Sequence, residues 1–423
     1  MPLKESWVTS ANDPLTNFPL NNLPYGVFST CDLGKRCGVA IGDMIFDCRA
    51  AEEKGFIKVA KSPTFQTQSW NNFMSLGPVV WEKFRTDITK LLSKNFINKT
   101  ILESIMVSQE QSELHLPFSV TEFTDFWSCK QHAVNAGTIL RGPENALPPN
   151  WQHMPIGYNG RASSISVSGS KINRPWGQLR EASKLNPYYA PSKKFDFELE
   201  LGAIIGVSSV GPLTVKEADD LIFGYVLLND WSARDIQAWE GQPLGPFQAK
   251  ATSTTISPWI VTKEALKPFR CPPPEREVEL LNYLKDDGIG LYDIELIVSL
   301  TPKDGVANIL TETNYREMYF SSAQQISHHT SAGCPMRVGD LLGSGTVSGP
   351  LKHQRGSMLE LSWGGREPFS LSNGEKRSFL EDFDTVTFQG FSTLNGQKVG
   401  FGECSGTLLP ALVDLYKRKT TEH

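Results

Sequence analysis

The chain of 423 residues has no long apolar run, no CxxC pair and no excess of positive charge. Residues 1–20 contain no apolar segment behind a basic stretch, so no secretory signal is expected. No apolar run reaches the roughly 20 residues that a membrane-spanning helix needs. A net charge of -5 disfavours a general nucleic-acid binder. We therefore expect a cytoplasmic protein that binds neither membranes nor nucleic acids.

The cysteines and histidines give no sign of a thiolate metal site. The seven cysteines are scattered and odd in number, which favours reduced thiols over a disulfide framework. The adjacent His328 and His329 have no third ligand at a useful spacing, and His115 stands alone. Structural roles are favoured for all three histidines.

The first part of the chain combines short β runs with one amphipathic helix. Residues 20–48 contain extended runs interrupted by glycine, which are typical of a small β unit. Apolar residues recur at helical intervals from Val80 to Leu92, and Pro78 suits a first helical turn. We interpret residues 1–117 as a small separate domain with little chemistry in it.

From residue 118 onward, short β-like runs alternate with Gly, Pro and Ser. This texture predicts a mainly β catalytic domain over residues 118–423, with few helices, rather than a doubly wound sheet. One helix is predicted over Glu317–Ser327. The glycine-rich segment Gly343–Gly349 matches neither the phosphate-loop pattern nor the dinucleotide-binding pattern. A tight β-turn near a substrate is predicted there instead.

Two glutamates share one face of a predicted strand. Side chains alternate along the segment Phe197–Leu201, so Glu198 and Glu200 point to the same side. Two carboxylates on one face repel each other unless positive charge lies between them. A solvated strand face is the commoner explanation of such a pair, but this strand continues into an apolar segment.

Two aspartates extend this set of carboxylates. Asp230 ends an apolar run that begins at Tyr225, and Asp125 lies among aromatic residues. A carboxylate at the end of a buried strand costs free energy unless it is paired or coordinated. With Glu198 and Glu200 the chain offers four oxygen donors without clustered Cys or His. Such donors suit Mg²⁺ or Ca²⁺ rather than zinc, although spacing alone does not make the four converge.

Cationic and titratable side chains accompany the carboxylates. Arg234 and Gln237 share one face if their segment is helical, and Lys250 follows a Pro-rich turn. These residues either stabilise a developing oxyanion or form an ordinary solvated surface. His132 lies in the same motif as Asp125, and it either takes a proton from water or has a structural role.

Motifs along nearly the whole chain resemble those of the fumarylacetoacetase family and occur in the family's order. The matching segments are LPYGVFST near the start and then FTDFWSCKQH, RGPENALPPNW, PIGYNGRASS, LNDWSARDIQAWE, PLGPFQAK, GSGTVSG, GSMLELSW and VGFGECSGTLLPAL. The resemblance implies an SH3-like β-barrel N-terminal domain, a β-roll catalytic domain and a homodimer.

The resemblance also implies roles for individual residues. The implied metal ligands are Asp125, Glu198, Glu200 and Asp230, with Lys250 and Thr254 beside a second cation site. The implied catalytic groups are His132 as the general base, Glu360 as the acid that orients it, and Arg234, Gln237 and Lys250 around the oxyanion. The implied substrate contacts are Arg141, Tyr158, Thr346, Arg234 and Gln237.

Two substrate-pocket positions depart from the family pattern. Trp127 and Gly241 stand where the family usually has tyrosine. Each lost hydroxyl removes a hydrogen bond worth roughly 1–3 kcal/mol to a charged group. The departures therefore predict an effect on specificity while leaving the catalytic groups in place.

The resemblance implies the dication-dependent hydrolysis of fumarylacetoacetate to fumarate and acetoacetate, the last step of tyrosine and phenylalanine catabolism. One alternative is a relative that acts on another dicarbonyl by hydrolysis, decarboxylation, isomerisation or carbon–carbon bond formation. The other is a non-catalytic binding protein, whose sign would be a lost catalytic residue, and none is lost.

Overall fold

The computed structural model describes residues 4–181 and 183–416, without the side chain of Gln397. Over these residues the chain is mainly β, as predicted. Among the helices described, none combines the length and the apolar character needed to cross a membrane.

The N-terminal part is an antiparallel sheet with helices packed on it. Its strands are β1 (Tyr25–Ser29), β2 (Arg36–Ile41), β3 (Met44–Asp47), β4 (Met106–Ser108) and β5 (Glu113–His115), in the order β4-β3-β2-β1-β5. Its helices are α1 (Cys48–Glu53), α2 (Asn71–Met74), α3 (Pro78–Leu92) and α4 (Lys99–Glu103). Helix α3 begins at Pro78 and buries Trp81, Phe84, Ile88 and Leu92, which confirms the predicted helix.

The remainder contains many short strands and few helices. The strands are β6 (Phe123–Phe126), β7 (Gly157–Asn159), β8 (Ile165–Val167), β9 (Ser170–Asn173), β10 (Trp176–Leu179), β11 (Tyr188–Pro191), β12 (Phe195–Asp196), β13 (Leu199–Ile205), β14 (Ile222–Asp230), β15 (Ser232–Ala233), β16 (Thr254–Ile256), β17 (Val261–Thr262), β18 (Arg270–Cys271), β19 (Leu291–Tyr292), β20 (Glu295–Thr301), β21 (Asn308–Asn314), β22 (Leu341–Gly343), β23 (Phe369–Ser370), β24 (Lys376–Arg377), β25 (Thr385–Leu394) and β26 (Gln397–Leu409). The helices are α5 (Lys130–Arg141), α6 (Val215–Leu221), α7 (Arg234–Glu240), α8 (Lys263–Leu266), α9 (Ser322–Thr330) and α10 (Met358–Leu361).

Two large sheets pack face to face in this part. The central sheet has the order β7-β6-β22-β13-β14-β16-β8, with β17 also paired to β14. The second sheet has the order β21-β20-β25-β26-β9. Gly390 marks their close approach, because a Cβ there would lie 2.7 Å from Leu227 of the central sheet. Their shared core includes Leu199, Leu201 and Leu227.

The N-terminal part covers the opposite face of the central sheet. Tyr25 exchanges backbone hydrogen bonds with Ile260, and Trp81 packs edge-on against Phe223 with ring centroids 4.9 Å apart. Ile204 belongs to the same apolar core. Since side chains alternate along β13, Glu198 and Glu200 lie on the face of Ile204. The carboxylates therefore occupy the end of a face that is apolar elsewhere.

Two local predictions are wrong in detail. Helix α9 begins at Ser322 instead of near residue 317, because the Ser321 side chain accepts the backbone N–H of Gln324 and caps the helix there. The segment Gly343–Gly349 follows β13 without forming a turn. The N–H of Val347 donates to the carbonyl of Leu199 at 2.7 Å, so pairing with the strand satisfies this backbone and no turn is formed.

Candidate metal centre and active site

The residues that the sequence singled out surround one cavity of about 430 Å³. The cavity lies between the central sheet and helices α5 and α7. Its lining includes Asp125, Trp127, His132, Arg141, Tyr158, Glu198, Glu200, Arg234, Gln237, Gly241, Lys250 and Thr346. Asp230 and Glu360 contact this lining through hydrogen bonds with Lys250 and His132, and Thr254 donates to Asp230.

The strands of the central sheet bring four carboxylates together. Asp125 lies in β6, Glu200 in β13 with Glu198 just before it, and Asp230 ends β14. The four residues are buried, and each offers an oxygen atom within 4.8 Å of the others. The prediction that Glu198 and Glu200 share a face is confirmed, and the convergence that spacing left open is present. We call these four residues the carboxylate cage.

Neutral and cationic donors bind the outer oxygens of the carboxylate cage. The Lys250 ammonium donates to Asp230 Oδ2 at 2.7 Å and to Glu198 Oε2. Thr254 Oγ1 donates to Asp230 Oδ1 at 3.0 Å. The Tyr158 hydroxyl donates to Asp125 Oδ2 at 2.9 Å. These contacts fix the carboxylates without supplying enough positive charge to balance them.

The charge deficit appears in the pKa values of the cage. Burial and the Asp230 carboxylate raise the pKa of Asp125 to about 8. Burial and Asp125 also raise the pKa of Glu200 well above its usual range. Although burial disfavours its charged form, Lys250 and Arg234 hold the pKa of Glu198 at about 2. Within the carboxylate cage only Glu198, which has two cations beside it, has a lowered pKa.

The carboxylate cage fits a metal ion. Glu200 Oε1 is buried and has no hydrogen-bond partner among the described residues, and a buried charged oxygen without a partner is costly. A cation between the four carboxylates would supply that partner and relieve their mutual repulsion. The residues present can therefore hold a metal ion.

A histidine–carboxylate pair stands beside the carboxylate cage. His132 lies in the first turn of α5 and its Nδ1 is 2.7 Å from Glu360 Oε2. Glu360 is fully buried. Burial works against its charged form, but His132 and the neutral donors Asn135 and Ser357 lower the pKa of Glu360. Asn135 Nδ2 donates to Glu360 at 2.9 Å, Ser357 Oγ at 2.8 Å and Ser348 Oγ at 3.0 Å.

Arg234 and Gln237 lie on one face of α7, as predicted. The Arg234 side chain donates to Gln237 Oε1 at 3.1 Å, and it also pairs with Glu198 and with the buried Asp196. These contacts place a guanidinium, an amide and the Lys250 ammonium on one side of the cavity. Such a group of donors can stabilise an oxyanion.

The outer part of the cavity carries the two unusual residues. The guanidinium of Arg141 lies 5.5 Å from the ring centre of Trp127 and donates to the carbonyl of Ala146 at 2.8 Å. Gly241 follows the last residue of α7 and contributes no side chain to the wall. Thr346 is buried and lines the deeper part of the cavity.

Sequence reasoning missed the residues that support this site from behind. Asn135 lies three positions after His132, so a predicted helix here would have placed both on one face. Ser357 lies three positions before Glu360 and caps its helix, a Ser-x-x-Glu spacing that the sequence does contain. No local pattern marks Ser348 or Asp196, because their partners lie 12 and 38 residues away.

The three histidines for which structural roles were predicted make side-chain contacts outside the site. His115 is 2.7 Å from Ser29 Oγ, His328 is 3.0 Å from the Tyr283 hydroxyl and His329 is 3.2 Å from Thr124 Oγ1. Within the residues that the structure describes, the carboxylate cage is the one group of potential metal ligands.

Comparisons with known proteins agree with these observations. A family described as fumarylacetoacetase N-terminal matches residues 21–117, and one described as fumarylacetoacetate hydrolase C-terminal matches residues 121–408. A fumarylacetoacetase from Dictyostelium discoideum is 46% identical over 97% of this chain and 99% of its own. The fumarylacetoacetase of Homo sapiens is 43% identical over 96% and 99%.

The solved structures show the fold at a greater distance. A fumarylacetoacetate hydrolase from Exiguobacterium antarcticum covers 92% of this chain and 99% of its own, with a TM-score of 0.51 at 14% identity. At this identity the likeness concerns the fold alone.

Removing one charge from the carboxylate cage should weaken cation binding. Glu200→Gln keeps the shape and one neutral oxygen, so we expect the dissociation constant for Ca²⁺ or Mg²⁺ to rise at least about tenfold. Isothermal titration calorimetry measures this constant. The control is Glu367→Gln, which neutralises an exposed carboxylate paired with Lys352. Equal affinity for the Glu200 variant and the wild type would contradict the metal centre.

Cation binding should release protons at neutral pH. Asp125, with a pKa of about 8, is mostly protonated at pH 7 when no cation is bound, and Glu200 shifts in the same direction. Cation binding needs ionised carboxylates, so about one to two protons should leave at pH 7 and fewer at pH 9.5. Calorimetry in buffers of different ionisation enthalpy counts them. If the heat of binding at pH 7 does not depend on the buffer, no protons are released, and the carboxylate cage does not bind the cation as predicted.

Proposed function

Because this chain belongs to the fumarylacetoacetate hydrolase family, we propose that it hydrolyses fumarylacetoacetate to fumarate and acetoacetate. The main support for this proposal is the similarity of nearly the whole chain to relatives named fumarylacetoacetase. The carboxylate cage, the His132–Glu360 pair and the donors around Arg234 border one cavity. These three groups are what the hydrolysis of a carbon–carbon bond between two carbonyls requires.

We propose Mg²⁺ or Ca²⁺ as the cation, held by Asp125, Glu198, Glu200 and Asp230. The donors are carboxylate oxygens without thiolate or imidazole, the set that these hard dications prefer. When bound, such a cation would polarise a carbonyl and balance the negative charge that develops on a dicarbonyl. Lys250 and Thr254 hold the outer oxygens of Asp230 and so keep this ligand in place.

His132 is proposed as the general base. Its Nδ1 lies 2.7 Å from the Glu360 carboxylate, which favours the tautomer with the proton on Nδ1. In the neutral ring Nε2 can then accept a proton from water. The resulting hydroxide attacks the carbonyl carbon next to the bond that breaks. Glu360 orients the ring and stabilises the imidazolium that forms. The proton that His132 has accepted is then available to the carbon of the departing acetoacetate.

Arg234, Gln237 and Lys250 are proposed to stabilise the oxyanion of the attacked carbonyl. Their donors face the cavity beside the carboxylate cage, where exclusion of water strengthens their interaction with negative charge. Substrate contacts are proposed for the cavity-lining residues Trp127, Arg141, Tyr158, Gly241 and Thr346.

The reaction and its base can be tested together. Purified wild type with Mg²⁺ should consume fumarylacetoacetate, followed by loss of the diketone absorbance, and NMR should identify fumarate and acetoacetate. His132→Ala should lower kcat by about 10²–10⁴-fold, the usual effect of losing a positioned base. His329→Ala is the control, because His329 is bonded to Thr124 outside the cavity. Near-normal turnover by the His132 variant would exclude it as the base.

A second candidate function is the conversion of another dicarbonyl on the same machinery. The observation that favours it is Gly241, which leaves the outer wall without a side chain next to Gln237 and Leu244. A longer or wider acyl group would fit where a ring would otherwise stand.

Substitution at Gly241 separates the two candidates. Gly241→Tyr restores the ring and hydroxyl, and we expect a lower KM for fumarylacetoacetate, by up to about tenfold for one new hydrogen bond. A Cβ here would lie 2.8 Å from the carbonyl oxygen of Gln237, so the backbone must shift slightly. Gly241→Ala requires the same backbone shift but adds no ring, so it serves as the control. A lower KM than that of the alanine variant would mean that the pocket has drifted away from fumarylacetoacetate. An unchanged or raised KM would count against such a drift and against the other dicarbonyl.

Finer features of the architecture are proposed on the family's precedent. We propose domains over residues 1–117 and 118–423, the first an SH3-like barrel. The antiparallel five-stranded sheet and the two family matches support this division. We also propose a homodimer in solution. Light scattering at micromolar concentration should give twice the chain mass of 47.0 kDa, and a monomer would contradict the proposal.

A further inference from the structure

The guanidinium of Arg234 is held on two edges and open on the third. Its Nε donates to Asp196 Oδ2 at 2.8 Å, and its Nη1 donates to Glu198 Oε1 at 2.6 Å. Its Nη2 is buried and has no partner in the described part of the chain. Since Arg234 lines the cavity, Nη2 is the donor that remains for a substrate oxygen.

Besides Arg234, Asp196 also contacts the short helix α10. Its Oδ1 accepts the backbone N–H of Met358 at 2.7 Å, and its Oδ2 accepts that of Leu359 at 2.9 Å. These two residues begin α10, the short helix that carries Glu360. One fully buried carboxylate therefore contacts both the oxyanion donor and the helix that supports the base.

Strand pairing fixes the position of Asp196. Strand β12 pairs with β15 so that Asp196 lies opposite Ser232, and the N–H of Arg234 donates to the carbonyl of Lys194 at 2.9 Å. Helix α10 has only four residues, too few to hold its own orientation by internal hydrogen bonds. Its orientation relative to Arg234 therefore depends on contacts such as those with Asp196.

We propose that Asp196 is a positioning residue that holds Arg234 and the Glu360–His132 pair in a fixed relation across the cavity. The proposal rests on the proposed hydrolysis, in which these groups act on the same carbonyl. Without the Asp196 carboxylate, Arg234 keeps only Glu198 and Gln237 as partners and is free to turn about them. Nη2 would then leave the place where the oxyanion forms.

The test variant is Asp196→Asn. The amide has the size of the carboxylate, but its NH₂ group must face either the N–H of Met358 or the Nε–H of Arg234, and donors cannot satisfy donors. We expect kcat to fall about 10²-fold, as when one oxyanion donor is lost. The KM should stay within threefold, because the substrate-binding wall is unchanged. A kcat within threefold of the wild type would overturn the proposal.

Asp384→Asn is the matched control. Asp384 is also buried, accepts two hydrogen bonds from a buried arginine, Arg377, and accepts the backbone N–H of Glu381. It makes these contacts outside the cavity. We expect this variant to lose thermal stability but to keep kcat within threefold. Equal losses of kcat in both variants would reduce Asp196 to a structural role.

A double-mutant cycle separates positioning from general damage. If Asp196 acts through Arg234, Asp196→Asn should cost at least tenfold less in an Arg234→Gln background than in the wild type. Equal costs in both backgrounds would overturn the link to Arg234. If the asparagine variant does not fold, Asp196→Glu keeps the charge and displaces it by one methylene. The same loss of kcat and the same dependence on Arg234 are then expected.

A crystal structure of the Asp196→Asn variant tests the positioning role without an activity measurement. If the wild type does not hydrolyse fumarylacetoacetate, the proposed function fails, and the positioning role is judged by a crystal structure of Asp196→Asn. We expect the guanidinium of Arg234 and the start of α10 to have moved. Both groups in their original places would overturn the proposal.

Discussion

The crowding of four buried carboxylates around one point is the constraint on which the rest of the site depends. Taking each ion out of water costs on the order of several kcal/mol, and mutual repulsion adds to that cost. Lys250 and Arg234 offset part of this cost on one side of the carboxylate cage, where they pair with Glu198. On the other side Asp125 and Glu200 have raised pKa values. The remaining negative charge of the carboxylate cage can be balanced by a cation.

The architecture explains how such a site is stable. One face of the central sheet packs on the second sheet, and the N-terminal part covers most of the other face. The carboxylates lie where that second face extends beyond its apolar cover, at the ends of strands whose remaining residues are apolar. The surrounding core fixes the strands, so the sheet holds the carboxylates together despite their repulsion.

The two sides of the cavity are built with different rigidity. On the deep side, Glu360, Asp196 and Glu198 are buried, and each accepts several hydrogen bonds from donors on different elements. On the outer side, Gly241 has no side chain and Arg141 is exposed over Trp127. We expect changes on the outer side to affect which substrate fits, and changes on the deep side to disturb groups that are linked by hydrogen bonds. The departures from the family pattern, Trp127 and Gly241, lie on the outer side.

Local periodicity in the sequence was enough for several predictions. Alternation along a strand placed Glu198 and Glu200 on one face, the apolar run placed Asp230 at a strand end, and helical spacing gave α3 with its buried stripe. Such patterns can be recognised in a sequence because the backbone of a helix or strand fixes the period at which side chains point to one face. The family motifs then added the roles that periodicity cannot give.

Only the tertiary structure decided which residues meet. Asp125 reaches Glu200 because β22 lies between β6 and β13, a pairing between segments far apart in the chain. Asp196 contacts Arg234 at the start of α7 and Met358 in α10, which lies far along the chain. The sequence by itself determined the chemical type of the side chains in the candidate site and, for Glu198 and Glu200, the face on which they lie. Their convergence depended on long-range strand pairing, which no local period encodes.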